Sequence, residues 1–90
     1  MLKLSLKEEL QALHLYIEGR LVHPWCEELS KLHEDIKNKL GKRELVLNLC
    51  GTTFVDQQGI QLLQEIVGTY KTKIVANTPI TRHFAMQAQL

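Results

Sequence analysis

Leu2, Leu4 and Leu6 alternate with Lys3, Ser5 and Lys7, the two-residue period of a strand with one buried face. Lys7-Glu8-Glu9 reads as a solvated turn. Leu13, Leu15 and Ile17 then alternate with His14, Tyr16 and Glu18, which predicts a second strand, in a hairpin with the first and ending at Gly19. The period changes after that. Trp25, Leu29, Leu32, Ile36 and Leu40 recur at three- and four-residue steps with Cys26 beside them, the apolar face of a helix, on which Trp25 is expected as a core anchor. Pro24 suits the first helical position, where a missing N–H leaves nothing unpaired. Glu27 and Glu28 in the first turn and Lys37 and Lys39 in the last match the helix dipole, and Gly41 suits the position beyond the end.

Leu45 to Leu49 is a short apolar run that predicts a strand buried in a sheet. Cys50-Gly51-Thr52-Thr53 reads as a polar turn. After Phe54 and Val55, Asp56 stands where a helix should begin, its carboxylate able to accept from the free N–H groups of the first turn. Ile60, Leu62, Leu63, Ile66 and Val67 form the apolar stripe of that helix, and Gly68-Thr69 ends it. Lys73 to Ala76 predicts a last strand. Thr78 is the expected cap of a final helix that opens on Pro79 and buries Ile80, Phe84, Ala85 and Ala88.

The resulting order, β-β-α-β-α-β-α, implies right-handed parallel crossovers with the first strand as an antiparallel edge. The polar second faces of the first two strands, and Asn48 in the third, predict a two-layer α/β domain over residues 1–90. Its mixed sheet is expected to carry helices mainly on one face, with the other face partly open around His14 and Tyr16. His83 is expected on the exposed side of the last helix.

Composition narrows the function. A net charge of +1 sets up no long-range field, so strong non-specific nucleic-acid binding is not indicated. Two cysteines without a leader-like apolar segment suggest a reducing, cytoplasmic setting. No apolar run reaches membrane-spanning length, so a membrane role would go through a partner. No phosphate-binding glycine loop, paired-carboxylate site or nucleophile elbow is present, and catalysis has no positive case. Cys50 lacks the Cys-x5-Arg spacing of a phosphatase loop and any Cys-x-x-Cys partner; a buried structural thiol is the expectation. His23, Cys26 and His33 do not make the organised four-ligand set of a structural metal, so neither metal nor cofactor is expected.

Strand, then Gly51-Thr-Thr-Phe-Val-Asp56, two residues, Gly59 and an amphipathic helix resembles the signature of the STAS family, the domain of bacterial anti-sigma factor antagonists. The likeness extends from Leu13-His-Leu-Tyr-Ile-Glu-Gly-Arg-Leu21 through the final helix, and its motifs are short. In that family the matching turn docks a regulatory protein, often a kinase-like anti-sigma factor, and a serine or threonine after Asp is phosphorylated to release it. The resemblance therefore implies a non-catalytic interaction module in signal transduction or transcription regulation, docking through residues 51–67. Carried over residue by residue, the partner-binding surface is Thr52, Thr53, Asp56, Gln57, Gln58 and Gly59. Gln57 occupies the usual acceptor position and has no hydroxyl, and a neutral amide does not mimic a phosphate. No phosphorylation is expected there, and Thr52 and Thr53 are the only acceptors nearby. Gly59, at a helical position where glycine is unfavourable, implies close approach of another backbone or of a partner. The alternatives are an accessory subunit on a transporter ATPase, a dimeric scaffold using the face around His14, Tyr16 and Asn48, and a thiol-dependent enzyme using Cys50.

Overall fold

The computed structural model describes residues 1–90 and has the element order β1 (Leu2–Glu8), β2 (Ala12–Leu21), α1 (Cys26–Leu40), β3 (Glu44–Asn48), β4 (Thr52–Val55), α2 (Gln57–Thr69), β5 (Thr72–Val75) and α3 (Pro79–Ala88). The sheet has five strands in the order β1-β2-β3-β5, with β4 also paired to β2. β1 is antiparallel to β2 and forms one edge, while β2, β3 and β5 run parallel. β3 pairs with Ala12–Tyr16 of β2, and β4 pairs with Gly19–Leu21. β1 already holds the other side of β2, so β3 and β4 share one side and together run the length of that ten-residue strand.

The alternation read from the sequence sorts the two faces. Leu13, Leu15 and Ile17 of β2 are fully buried beneath the helical layer, whereas Ala12, His14 and Tyr16 are half-buried on the other side. Leu45 and Leu47 of β3, Leu29 and Ile36 of α1, Leu63 and Ile66 of α2, and Phe84 and Ala88 of α3 complete one continuous core. On the open face His14 stacks beside Tyr16 with ring centroids 6.2 Å apart, and its Nε2 lies 2.8 Å from Glu9 Oε1. His83 is exposed, as expected. No helix is long and apolar enough to cross a membrane.

Several local readings need correction: Lys7 and Glu8, read as part of a turn, end β1, and Pro24 lies two residues ahead of α1 and not at its first position. Gly19 does not end β2: with φ at +92° it carries a register shift, and the strand continues to Leu21. The polar turn at 52–53 is instead the start of β4, where Thr-Thr-Phe-Val is a run of β-formers that finds a partner in the extra length of β2. α1 begins at Cys26, and Trp25 precedes its first turn and is 45% exposed, so it is no core anchor. Ile80 is also outside the core, because the buried face of α3 passes through Thr81, Phe84, Ala85 and Ala88.

The helix ends account for themselves. Thr78 caps α3 in a reciprocal box with Thr81: each side chain bonds the other residue's backbone N–H. Gly41, with φ at +58°, closes α1. Beyond it Arg43 donates to the Leu40, Lys39 and Glu9 carbonyls and pairs with Glu8 at 2.9 Å, tying the end of α1 to the β1–β2 turn.

Candidate functional site

The corner between β4 and α2 gathers most of the residues singled out from the sequence. Asp56 sits at its centre with extended backbone, φ −83° and ψ −178°, as the N-cap of α2. One carboxylate oxygen, Oδ1, accepts from the Gly59 N–H at 2.8 Å; the other, Oδ2, accepts from the His23 N–H at 2.8 Å. The Cys26 thiol points at Oδ1 from 3.9 Å. Asp56 thus caps its own helix and also anchors the loop that leads into α1. Partial burial opposes its charge. The His23 and Gly59 N–H groups, the His23 charge and the Cys26 thiol together outweigh that, and the carboxyl titrates below its ordinary range. Burial, with the Asp56 charge beside it, pushes the Cys26 thiol up. The arrangement makes a fixed joint and leaves Cys26 a poor nucleophile at neutral pH.

The six predicted contact residues divide by burial. Thr53, Gln57 and Gln58 are exposed, and Gln58 Oε1 lies 3.1 Å from His23 Nδ1 across the corner. Thr52 is only 4% exposed, with its hydroxyl donating to the Ile17 carbonyl at 2.6 Å. Gly59 is buried as well: a Cβ there would stand 2.5 Å from the Leu21 carbonyl oxygen and 2.6 Å from Val55 Cγ1. The backbone that approaches Gly59 is therefore the chain's own, at the end of β2. Thr52 and Gly59 shape the corner from beneath and do not lie on its surface.

Thr52 yields a separate expectation. Thr52→Val keeps the shape of the side chain but leaves the Ile17 carbonyl without that donor, which should cost about 1–3 kcal/mol in urea unfolding. Thr53→Val, exposed on the same strand, should change stability by less than about 0.5 kcal/mol. Equal losses at the two positions would refute this assignment.

Phe54 is a surface residue that sequence reasoning passed over. It is 44% exposed, packs edge-on against Phe84 with centroids 5.8 Å apart, and has the Arg20 guanidinium 5.9 Å from its ring centre. Its place in an apolar pair with Val55 hid it; only the pairing of β4 with β2 leaves Val55 buried and Phe54 exposed. Beside it, a groove of about 350 Å³ between α2 and α3 is lined by Gln57, Ile60, Gln64, His83, Phe84 and Gln87, among others. Gln64 Nε2 donates to the Gln87 carbonyl at 2.9 Å and ties the groove's two walls together.

Cys50 is half-buried in the turn after β3, and Leu49 takes the buried position expected for it. Its backbone N–H bonds Asn48 Oδ1 at 2.9 Å, and its thiol makes no hydrogen bond to any base. No three of the His, Cys, Asp and Glu side chains come together in a metal-holding group.

No family model matches the sequence, and no curated protein matches it. Solved structures do resemble the chain. One is the crystal structure of Mglu, with a TM-score of 0.63 and 20% identity over 83% of this chain. The aligned part is 19% of that protein, so this chain spans about a fifth of its length. Another is an uncharacterised protein of the DUF3478 family from Shewanella loihica PV-4, described as having a SpoIIAA-like fold. It aligns with a TM-score of 0.60 and 9% identity over 89% of this chain and 71% of its own. Identities this low speak to fold alone: the chain is a mixed α/β domain with a SpoIIAA-like fold.

Proposed function

We propose that the protein is a non-catalytic interaction module that docks a regulatory protein partner through the β4–α2 corner, without the phosphorylation switch usual at such a corner. The observation that carries this reading is the exposed surface built around a rigid cap. Asp56 is fully engaged by its own chain, while Thr53, Phe54, Gln57 and Gln58 project beside the groove between α2 and α3. An exposed aromatic flanked by polar groups and an arginine suits a protein interface. The partner class is an anti-sigma factor or other kinase-like regulator, or, in the second reading, a transporter ATPase. Residue 57 heads α2, and as glutamine it provides no hydroxyl for a phosphoryl group. Thr53 is the one nearby exposed acceptor, since the Thr52 hydroxyl is committed to Ile17.

The test is capture from extract of the protein's own organism, comparing the native chain with Gln57→Asp and Phe54→Ala. A negative charge at the first position of α2 favours the helix dipole, so Gln57→Asp should leave the fold intact. A kinase-like or ATPase protein retained by the native chain and lost with both variants supports the proposal. Retention unchanged by both variants would move the docking site elsewhere. Stoichiometric phosphorylation within residues 56–59 would end the claim that the switch is missing.

A further inference from the structure

The free edge of β1, together with the flank of α1 above it, forms a surface that the docking corner does not use. β1 is seven residues long and pairs only with β2, so one side of its backbone is unpaired. A long exposed edge is a template for another strand. On the helical side of the sheet, Leu4 and Leu6 of β1 and Leu32 of α1 are half-buried and floor a groove of about 460 Å³. Along its helical wall stand Glu28, Lys31, Asp35 and Lys39, alternating in sign. We infer that this edge is the interface of a two-fold homodimer, in which β1 pairs antiparallel with β1 of a second copy and the two α1 helices lie antiparallel across the joined grooves.

Charge order selects a second copy as the occupant. Read in reverse, minus-plus-minus-plus becomes plus-minus-plus-minus. An antiparallel α1 therefore brings Lys39 opposite Glu28 and Asp35 opposite Lys31, and the two-fold axis repeats both pairs. Chain direction allows the same axis to serve both elements. α1 connects the parallel strands β2 and β3 and so runs against β2, as β1 does. β1 and α1 consequently run the same way, and one axis normal to the sheet makes both pairs antiparallel at once.

Spacing agrees as well. Three strand separations of about 4.8 Å put the two β2 strands about 14 Å apart. α1 packs on β2 and α2, so the two α1 helices stand about as far apart, with the long side chains of Glu28, Lys31, Asp35 and Lys39 facing each other across the joined grooves. The half-buried leucines of each copy cover those of the other, and the two sheets become one. Because the strands of the copies oppose each other, the two β4–α2 corners would face opposite ends, giving a bivalent module.

Sedimentation equilibrium of the full chain tests this, with circular dichroism confirming that each variant is folded. The native chain should dimerise reversibly, and Lys31→Glu should weaken association at least about tenfold through like-charge opposition. Adding Asp35→Lys to Lys31→Glu should restore native association, because both pairs re-form with their signs exchanged. Leu4→Lys, an inward-pointing charge at the edge, should leave monomer. A native chain that stays monomeric at its highest soluble concentration overturns the inference. So does a double variant no tighter than Lys31→Glu alone, or a dimer indifferent to both Lys31→Glu and Leu4→Lys. That last result would place the interface on the open sheet face or the β5 edge.

Discussion

Replacing Gly59 with alanine is expected to lower stability by about 2 kcal/mol, even though helix propensity alone favours the change by about 1 kcal/mol. The reason is the approach of β2 to the first turn of α2. A Cβ at this position would meet the Leu21 carbonyl oxygen at 2.5 Å, Val55 Cγ1 at 2.6 Å and Leu21 Cγ at 3.2 Å. The Val55 and Leu21 side chains can give way. The carbonyl cannot do so cheaply, because it accepts the Asp56 N–H at 3.2 Å and thereby sets where α2 begins. Moving it disturbs the cap that the helix depends on. Gly68, in the last turn of the same helix, supplies the control: nothing lies within 4 Å of a Cβ there and its φ is not positive. Gly68→Ala should stabilise by up to about 1 kcal/mol. Urea midpoints for the two variants should move in opposite directions, and a stabilising Gly59→Ala would show that the corner is looser than described.

Asp56→Ala should cost about 2–3 kcal/mol, more than an ordinary N-cap, because it also releases the loop ahead of α1. Its carboxylate receives the Gly59 N–H within α2 and the His23 N–H from the loop between β2 and α1. Asp56→Asn keeps one acceptor oxygen and should lose about half as much. The pH dependence follows from the direction of the shift. The folded carboxyl titrates below its unfolded value, so the charge contributes its full stabilisation above the unfolded pKa of about 4 and loses it as pH falls through the lower folded value. The stability gap between the native chain and Asp56→Ala should therefore be constant at neutral pH and narrow as the medium is acidified below about pH 4. A gap of the same size at every pH would mean that the uncharged carboxyl holds both N–H groups equally well, and that the charge has no part in the joint. Because loss of the anchor frees His23 and with it Gln58, the same substitution should also reduce partner capture.

The two kinds of information met most closely at this corner. Asp56 was legible as a cap because an acidic residue just before a three- and four-residue apolar repeat has one obvious local use. Its second hydrogen bond was not legible, since it joins positions 33 apart in the chain and depends on where α1 starts relative to β2. Gly59 was legible as a place of close approach, from the propensity it sacrifices. Whether a partner or the chain itself came close was settled only when the end of β2 was seen against it. Phe54 and Thr52 show the same limit. Both belong to a four-residue strand that exists because β2 runs past Gly19, and the register shift in its pairing with β2 falls between them, leaving one buried and the other exposed.

By itself the sequence determined seven of the eight elements and their order, most of the apolar faces of the helices and of the first strands, the caps at Asp56 and Thr78, and the lack of an acceptor hydroxyl at residue 57. These are local properties: each follows from the period of apolar residues or from one side chain's hydrogen-bonding capacity within a few residues of its own backbone. The tertiary structure decided which of the six candidate residues reach the surface, that β4 exists, that Trp25 stands outside the core, and that the edge of β1 carries a groove beside a self-complementary row of charges. Those depend on pairings between distant segments, and a short strand or an exposed flank has no energetic identity until the neighbouring strand or helix is in place beside it.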